Sequence, residues 1–271
     1  MAALSFLAPE DTQLSERFLT DGYVIRQCES IDALNTFSEW IRTRANQWLA
    51  DNGHDAHIRE FQGSHSAVKA SFLNDLRLHL FASINAEPDS RKTYFTFAAS
   101  LLQSIVGNEL AMQNKLNLSI QQPEDQTSVL ELHSDAWTGD SPFQVVLWVP
   151  LTNSTGTNAM YLLSPEKSIE AYGRVRNGEL ASMSEIHVAY KNYFKPIEVN
   201  RGEILVFDSN CLHGNQLNTT SESRWSINCR FTSLMAPSTS PECQLGSFYT
   251  PIMVRPATRM GLRAINALGL G

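Results

Sequence analysis

The sequence predicts a mainly β chain with helices gathered near its N-terminus. It is an α+β arrangement whose strands close into a double-stranded β-helix, a relative of the jelly roll. Two observations carry this. Ile31, Leu34, Phe37, Ile41, Ala45 and Trp48 recur at helical spacing early in the chain. From Leu110 onward, short alternating or β-branched runs separated by turn residues take over. A third observation, the absence of any internal repeat, low-complexity tract or long linker, makes residues 1–271 one domain.

The elements follow in order. A first helix runs over 31–48, with Ser30 or Asp32 placed to cap it. Further helices are expected over 68–84 and over 90–106, the latter ending at Gly107. Strands are expected over 112–122, 127–135, 144–151, 159–163, 195–199, 203–207 and 224–234. Residues 1–110 thus read as mostly helical cover, 111–235 as the β core and 236–271 as a C-terminal extension. An insertion at 164–194 carries Tyr172, Tyr190, Tyr193 and Phe194, which either contact a ligand or anchor the loop.

Composition excludes several classes. A net charge of −7 argues against nucleic-acid or anionic-membrane partners, and no apolar run is long enough for a transmembrane helix. The opening residues lack the basic region of a secretory signal. Cys28, Cys211, Cys229 and Cys243 form no CxxC pair and read as reduced thiols, with Cys211 a small buried hydrophobe. A cytoplasmic enzyme acting on a small molecule is expected. Neither a phosphate-binding Gly-rich loop nor a Gly-x-Ser-x-Gly elbow occurs.

The chemistry concentrates in His133-Ser134-Asp135, His213 and Arg224. Residues two apart in an extended strand share a face, so His133 and Asp135 aim one imidazole and one carboxylate at one point. His213, just past the 203–207 strand and beside Gly214, supplies a second imidazole. Two His and one carboxylate with three open positions form the facial triad of non-haem Fe(II) oxygenases. In the last strand Trp225, Ile227, Cys229 and Phe231 alternate with Arg224, Ser226, Asn228 and Arg230. Arg224 and Ser226 suit the distal carboxylate of a keto acid such as 2-oxoglutarate, because a guanidinium fork binds a carboxylate bidentately. Arg230, about 20 Å further along the strand, is expected to be solvated. Asn117, on a strand shared with Ser119 and Gln121, is placed to hydrogen-bond the keto acid, and Asn215 to touch the same ligand. His54 and His57 sit beside the turn Asp51-Asn52-Gly53 and read as solvated.

These residues make the chain resemble the phytanoyl-CoA-dioxygenase-like Fe(II)/2-oxoglutarate oxygenases. The likeness starts at Phe18-Leu19-Thr20-Asp21-Gly22-Tyr23-Val24-Ile25, similar to the family's opening strand. It continues through His133-Ser134-Asp135 and Val146 to Asn153, and ends with Gly202 to Asp208, His213-Gly214 and Arg224. Arg224 follows His213 at the family's usual offset of eleven residues. More narrowly, the chain resembles the branch found in bacterial sugar and aminoglycoside gene clusters. It departs from the family pattern where Leu163-Ser164-Pro165-Glu166-Lys167-Ser168 replaces a Pro-Gly-Ser-His signature, so the family's substrate is not carried over.

The resemblance implies Fe(II) on His133, Asp135 and His213, with 2-oxoglutarate and O2 as co-substrates. It also implies that Trp148 borders the co-substrate. The outcome is oxidation of a small polar, carbohydrate-related metabolite, with Trp137, Asp140 and Tyr193 as candidate substrate contacts. Two alternatives remain open at this point: a cupin-type metal enzyme without oxygenase activity, and a degenerate scaffold that binds a keto acid or sugar.

Overall fold

A computed structural model describes residues 6–237 and 240–269. The opening residues 1–5, read above as part of a non-secretory start, lie outside the described residues. The chain begins with α1 (Pro9–Asp21), stopped by Gly22 in the left-handed conformation (φ 80°) and followed by β1 (Tyr23–Gln27). A Cβ on Gly22 would also lie 2.8 Å from the Cys211 sulfur, so glycine is needed twice over. Then come α2 (Ile31–Asp51), α3 (Ala70–Ala86), α4 (Ser90–Phe95) and α5 (Ala99–Val106). Ser30 stands at the N-cap of α2 but makes no side-chain capping bond.

The expected helix over 90–106 is two helices. Ala98 is non-helical (φ −148°, ψ 29°), and the Glu29 carboxylate accepts from the amides of Ser100 and Leu101 at 2.9 and 3.0 Å. A distant carboxylate caps a new helix start, which local periodicity does not reveal.

The β region comprises β2 (Leu110–Gln113), β3 (Asn117–Gln121), β4 (Gln144–Pro150), β5 (Met160–Leu162), β6 (Lys195–Ile197), β7 (Glu203–Asp208), β8 (His213–Gly214), β9 (Arg224–Ser233) and β10 (Tyr249–Met253). The insertion between β5 and β6 is helical, as α6 (Pro165–Arg176) and α7 (Met183–Tyr190), and α8 (Pro256–Leu268) follows β10. Ser164 and Ser182 cap α6 and α7, accepting from the amides of Lys167 and Glu185. Among the described residues no helix is long and apolar enough to cross a membrane.

A large antiparallel sheet has the order β1-β7-β4-β9-β2-β10, with β3 also paired to β9, and faces a small sheet, β6-β5-β8. This is the double-stranded β-helix. Two-residue periodicity sorts its faces. Val145, Leu147 and Val149 of β4, Ile204 and Val206 of β7, and Trp225, Ile227, Cys229 and Phe231 of β9 join the core under the helices. Val146, Trp148, Leu205 and Phe207 face the small sheet and pack on Met160, Leu162 and Ile197. Helices cover one face and the small sheet the other, so every residue of β4 is buried. Tyr94 pins this cover to the sheet, its hydroxyl directed at the carbonyls of Leu147 (2.8 Å) and Ile227 (3.1 Å).

The expected strand over 127–135 is not one. A short turn over Gln126–Ser128, capped by Asp125, is followed by an irregular extended stretch, and another turn covers Asp135–Thr138. Only His133 pairs, in an isolated bridge with His213. The backbone of Asp135 bonds instead to the loop carbonyl of Ser209 at 3.1 Å.

Candidate metal centre

His133 and His213 face each other across their bridge, amide to carbonyl in both directions at 3.0 and 2.8 Å. Ser134 between the first pair of candidate ligands is extended (φ −127°, ψ 147°), so His133 and Asp135 still project to the same side without a regular strand. The ligand atoms of His133, Asp135 and His213 all lie within 4.8 Å of one another. Nε2 of His133 and Nε2 of His213 stand 3.6 and 3.8 Å from Asp135 Oδ1. Both separations are too long for direct hydrogen bonds. They suit three donors around one ion, which at bond lengths of about 2.1 Å and right angles would draw them to about 3 Å.

The two imidazoles are oriented by backbone. Nδ1 of His133 lies 2.9 Å from the carbonyl of Glu131, and Nδ1 of His213 lies 2.8 Å from that of Cys211. A carbonyl only accepts, so Nδ1 carries the proton and Nε2 presents its lone pair to the site. Burial lowers the pKa of His213 to about 4, outweighing the attraction of Asp135, so its ring is neutral at ordinary pH. Neutral imidazole is the form that binds metal.

A cavity of about 140 Å³ extends from these three residues between the sheets. Its walls include Val146, Trp148, Met160 and Phe207, and Arg224 is among its lining residues. Arg224 is 3% exposed and has no acidic partner among the described residues. Nη1 donates to Ser226 Oγ at 3.3 Å and Nη2 to Ser119 Oγ at 3.4 Å, both long, while Nε has no partner. Its guanidinium lies 5.8 Å from the Trp148 ring centre. Burial, reinforced by Arg77, depresses its pKa from 12.5 to about 10. An unpaired buried cation with a free donor in a cavity calls for an anion.

The other sequence-predicted residues are distributed differently. Trp148 and Asn215 line the cavity. Asn215 spends its amide on the chain, accepting from the amide of Leu130 (2.5 Å) and donating to the carbonyl of Ser128 (3.1 Å). Asn117 is not in the lining. It donates to Asn228 Oδ1 at 3.2 Å, and Asn228 is in the lining. Ser226 is buried behind Arg224. Trp137 packs on Tyr172 with ring centres 4.6 Å apart, and Tyr193 lies under the ammonium of Lys167. Neither belongs to the cavity wall. Asp140 is paired to Arg230 at 2.7 Å.

Arg230 overturns its expectation of solvation. It lines the cavity, with Nε 2.9 Å from Asp135 Oδ2. The distance along β9 that argued against it places it at the end of the cavity where Asp135 lies. The alternation of Arg224, Ser226, Asn228 and Arg230 on one face was the available signal. Ser119 and Asn228 were likewise visible only as polar members of alternating strands.

The sequence model of the phytanoyl-CoA dioxygenase (PhyH) family matches residues 18–226. No curated protein matches the chain. Among solved structures, the chain is similar to a nickel complex of the non-heme monooxygenase ThoJ (19% identity, 93% of each chain covered, TM-score 0.50). It is also similar to HygX from Streptomyces hygroscopicus with nickel and 2-oxoglutarate bound (13% identity, 89% of this chain and 93% of that chain, TM-score 0.51). EctD from S. alaskensis with 2-oxoglutarate and 5-hydroxyectoine is a third (15% identity, 94% of this chain and 89% of that chain, TM-score 0.57). At such identities the likeness is one of fold.

Proposed function

The chain belongs to the phytanoyl-CoA dioxygenase family, and on that premise we propose that its cavity oxidises a small polar, carbohydrate-related metabolite. It is a 2-oxoglutarate-dependent non-haem iron dioxygenase. The observation that carries the residue assignment is Arg224, a buried cation without an acidic partner in the cavity that His133, Asp135 and His213 also line. That donor set fits Fe(II), and the orphaned guanidinium fits the far carboxylate of 2-oxoglutarate.

In this reading His133 and His213 each offer Nε2 and Asp135 offers Oδ1 to the metal, with both rings locked by backbone carbonyls. Bound iron supplies O2-dependent oxidation of a C–H bond, coupled to conversion of 2-oxoglutarate to succinate and CO2. Arg224 takes the distal carboxylate, with the hydroxyls of Ser226 and Ser119 steadying its fork. Trp148, Val146, Met160 and Phe207 exclude water from around the keto acid. Asn117 acts through Asn228, and Asn215 holds the 128–130 wall rather than the ligand.

The substrate class rests on chemistry near the site. A CoA thioester needs clustered cations for its phosphates, and the chain carries a net −7. Arg174, a cation on α6, is paired to Glu179. Trp137 and Tyr193, both exposed, suit a hydroxyl-rich molecule as aromatic contacts, whereas Thr152, Ser154 and Asn158 are buried and do not line the cavity. Asp140, a candidate substrate contact in the sequence, is instead held by Arg230.

Succinate formation by the Fe(II)-loaded protein, measured across polyols, sugars, aminocyclitols and acyl-CoAs, tests this. Turnover should couple to a polyhydroxylated compound. Coupling to an acyl-CoA alone would overturn the substrate class, and no succinate under any condition would overturn the assignment of these residues.

A further inference from the structure

We propose that Arg230, anchored by Asp140, divides the two oxygens of Asp135, reserving Oδ1 for the metal and holding Oδ2 away from it. This rests on reading His133, Asp135 and His213 as the metal site.

The two oxygens of Asp135 have separate surroundings. Oδ1 is the atom 3.6 and 3.8 Å from the two imidazole nitrogens, whereas Oδ2 accepts from Arg230 Nε at 2.9 Å. The carboxylate is 2% exposed, so this charge-assisted bond is made away from water. Carboxylates bind metals through one oxygen or two. Chelation through both would break the Arg230 bond and fill one of the three positions that co-substrate and O2 need. Arg230 therefore keeps the ligand monodentate and the site open.

An arginine beside a divalent ion is itself repelled, and the surrounding groups answer this. Arg230 Nε is also 2.7 Å from Asp140 Oδ2, so the Asp135–Arg230–Asp140 cluster carries a net single negative charge. Asp140 is fixed in turn. Its amide donates to the Asp135 carbonyl at 3.0 Å, and its Oδ2 accepts from Gln144 Nε2 at 3.2 Å. The Cys243 thiol reaches its Oδ1 at 3.5 Å, and the Tyr249 hydroxyl donates to Gln144 Oε1. On the other side, Gln113 Oε1 accepts from both Nη1 and the backbone amide of Arg230, at 3.4 and 3.3 Å. Strands β2, β4, β9 and β10 thus all contribute to the geometry of one carboxylate. Arg230 is a positioning residue, not a catalytic one.

The test uses Co(II) as probe in the full-length wild type and in Arg230→Gln, Arg230→Lys and Asp140→Asn. Affinity is measured by calorimetry and coordination by the visible absorption of bound Co(II). Arg230→Gln should change Co(II) affinity by roughly 10-fold or more, the scale usual for losing a partner of a metal ligand. It should also change the absorption of the ion that remains bound. Arg230→Lys, keeping charge but not the fork, should reverse part of the change in affinity. Asp140→Asn should give the same spectral change to a lesser degree, and these two variants decide the matter if Arg230→Gln does not fold. A purely structural role would lower thermal stability while leaving the bound-ion spectrum unchanged. Wild-type affinity and spectrum in all three variants would overturn the inference. Failure of the wild type itself to bind Co(II) would instead overturn the metal-site reading beneath it.

Discussion

Arg224→Met gives an outcome whose sign separates ligand binding from structure. The arginine is 3% exposed, and among the described residues its Nε is unpartnered and it has no acidic partner. The fall in its pKa from 12.5 to about 10 corresponds to about 3 kcal/mol of penalty on the charged form. Water entering the cavity reduces that figure, so it is an upper bound. The sign follows from linkage. A base with a depressed folded pKa destabilises the fold at any pH below about 10, and the penalty lifts only as pH rises through that value. Methionine fills similar length against Trp148 without a charge. In the absence of 2-oxoglutarate the variant should therefore melt at the wild-type temperature or several degrees above it. With 2-oxoglutarate the order reverses. Losing a desolvated charge-assisted pair costs about 2–5 kcal/mol, which is roughly 30-fold to several-thousand-fold in Kd. Differential scanning calorimetry with and without 2-oxoglutarate, in the presence of Mn(II), reads both effects, and titration calorimetry gives Kd. A variant that melts well below wild type without ligand yet binds 2-oxoglutarate normally would refute the reasoning.

Three further outcomes follow from the same site. Alanine at His133, Asp135 or His213 should abolish metal binding and turnover with the far-UV circular dichroism retained; full activity in any of them would remove that residue from the ligand set. Because burial lowers the His213 pKa to about 4 against an ordinary 6.5, the metal-free protein should lose stability as pH falls from about 6.5 towards 4, and His213→Asn should flatten that slope in urea titrations. Gly214→Ala would place its Cβ 2.7 Å from the Tyr161 hydroxyl and 2.9 Å from the Leu130 carbonyl, so it should cost about 1–3 kcal/mol and weaken metal binding; an unchanged melting temperature would show that the wall beside His213 yields more easily than its contacts imply.

The sequence by itself determined the elements whose signals are local. The alternation in β9 is a property of the extended backbone, so its division between helix-facing and cavity-facing residues was legible residue by residue, whereas β4 and β7 are apolar on both faces and their division came only from packing. The same rule placed His133 beside Asp135 and Arg224 on the cavity face, because a single extended residue at Ser134 is enough to align its neighbours. Helices α2 and α3 were legible from their apolar periodicity.

What tertiary structure decided depends on partners distant in the chain. Glu29 splits the 90–106 helix from about 70 residues away, and the Ser209 carbonyl draws Asp135 out of a ladder. The serine caps of α6 and α7 were present in the sequence, but the helices bury only one face, and their apolar partners Leu132, Leu163 and Leu212 lie largely outside them. Arg230 shows the limit most plainly. Its type and its face were readable, but its position along the cavity was not, since that depends on where the loop holding Asp135 crosses β9. A solvated arginine and one paired to two carboxylates have the same local sequence. Only long-range packing removes the water and brings the carboxylates within 3 Å.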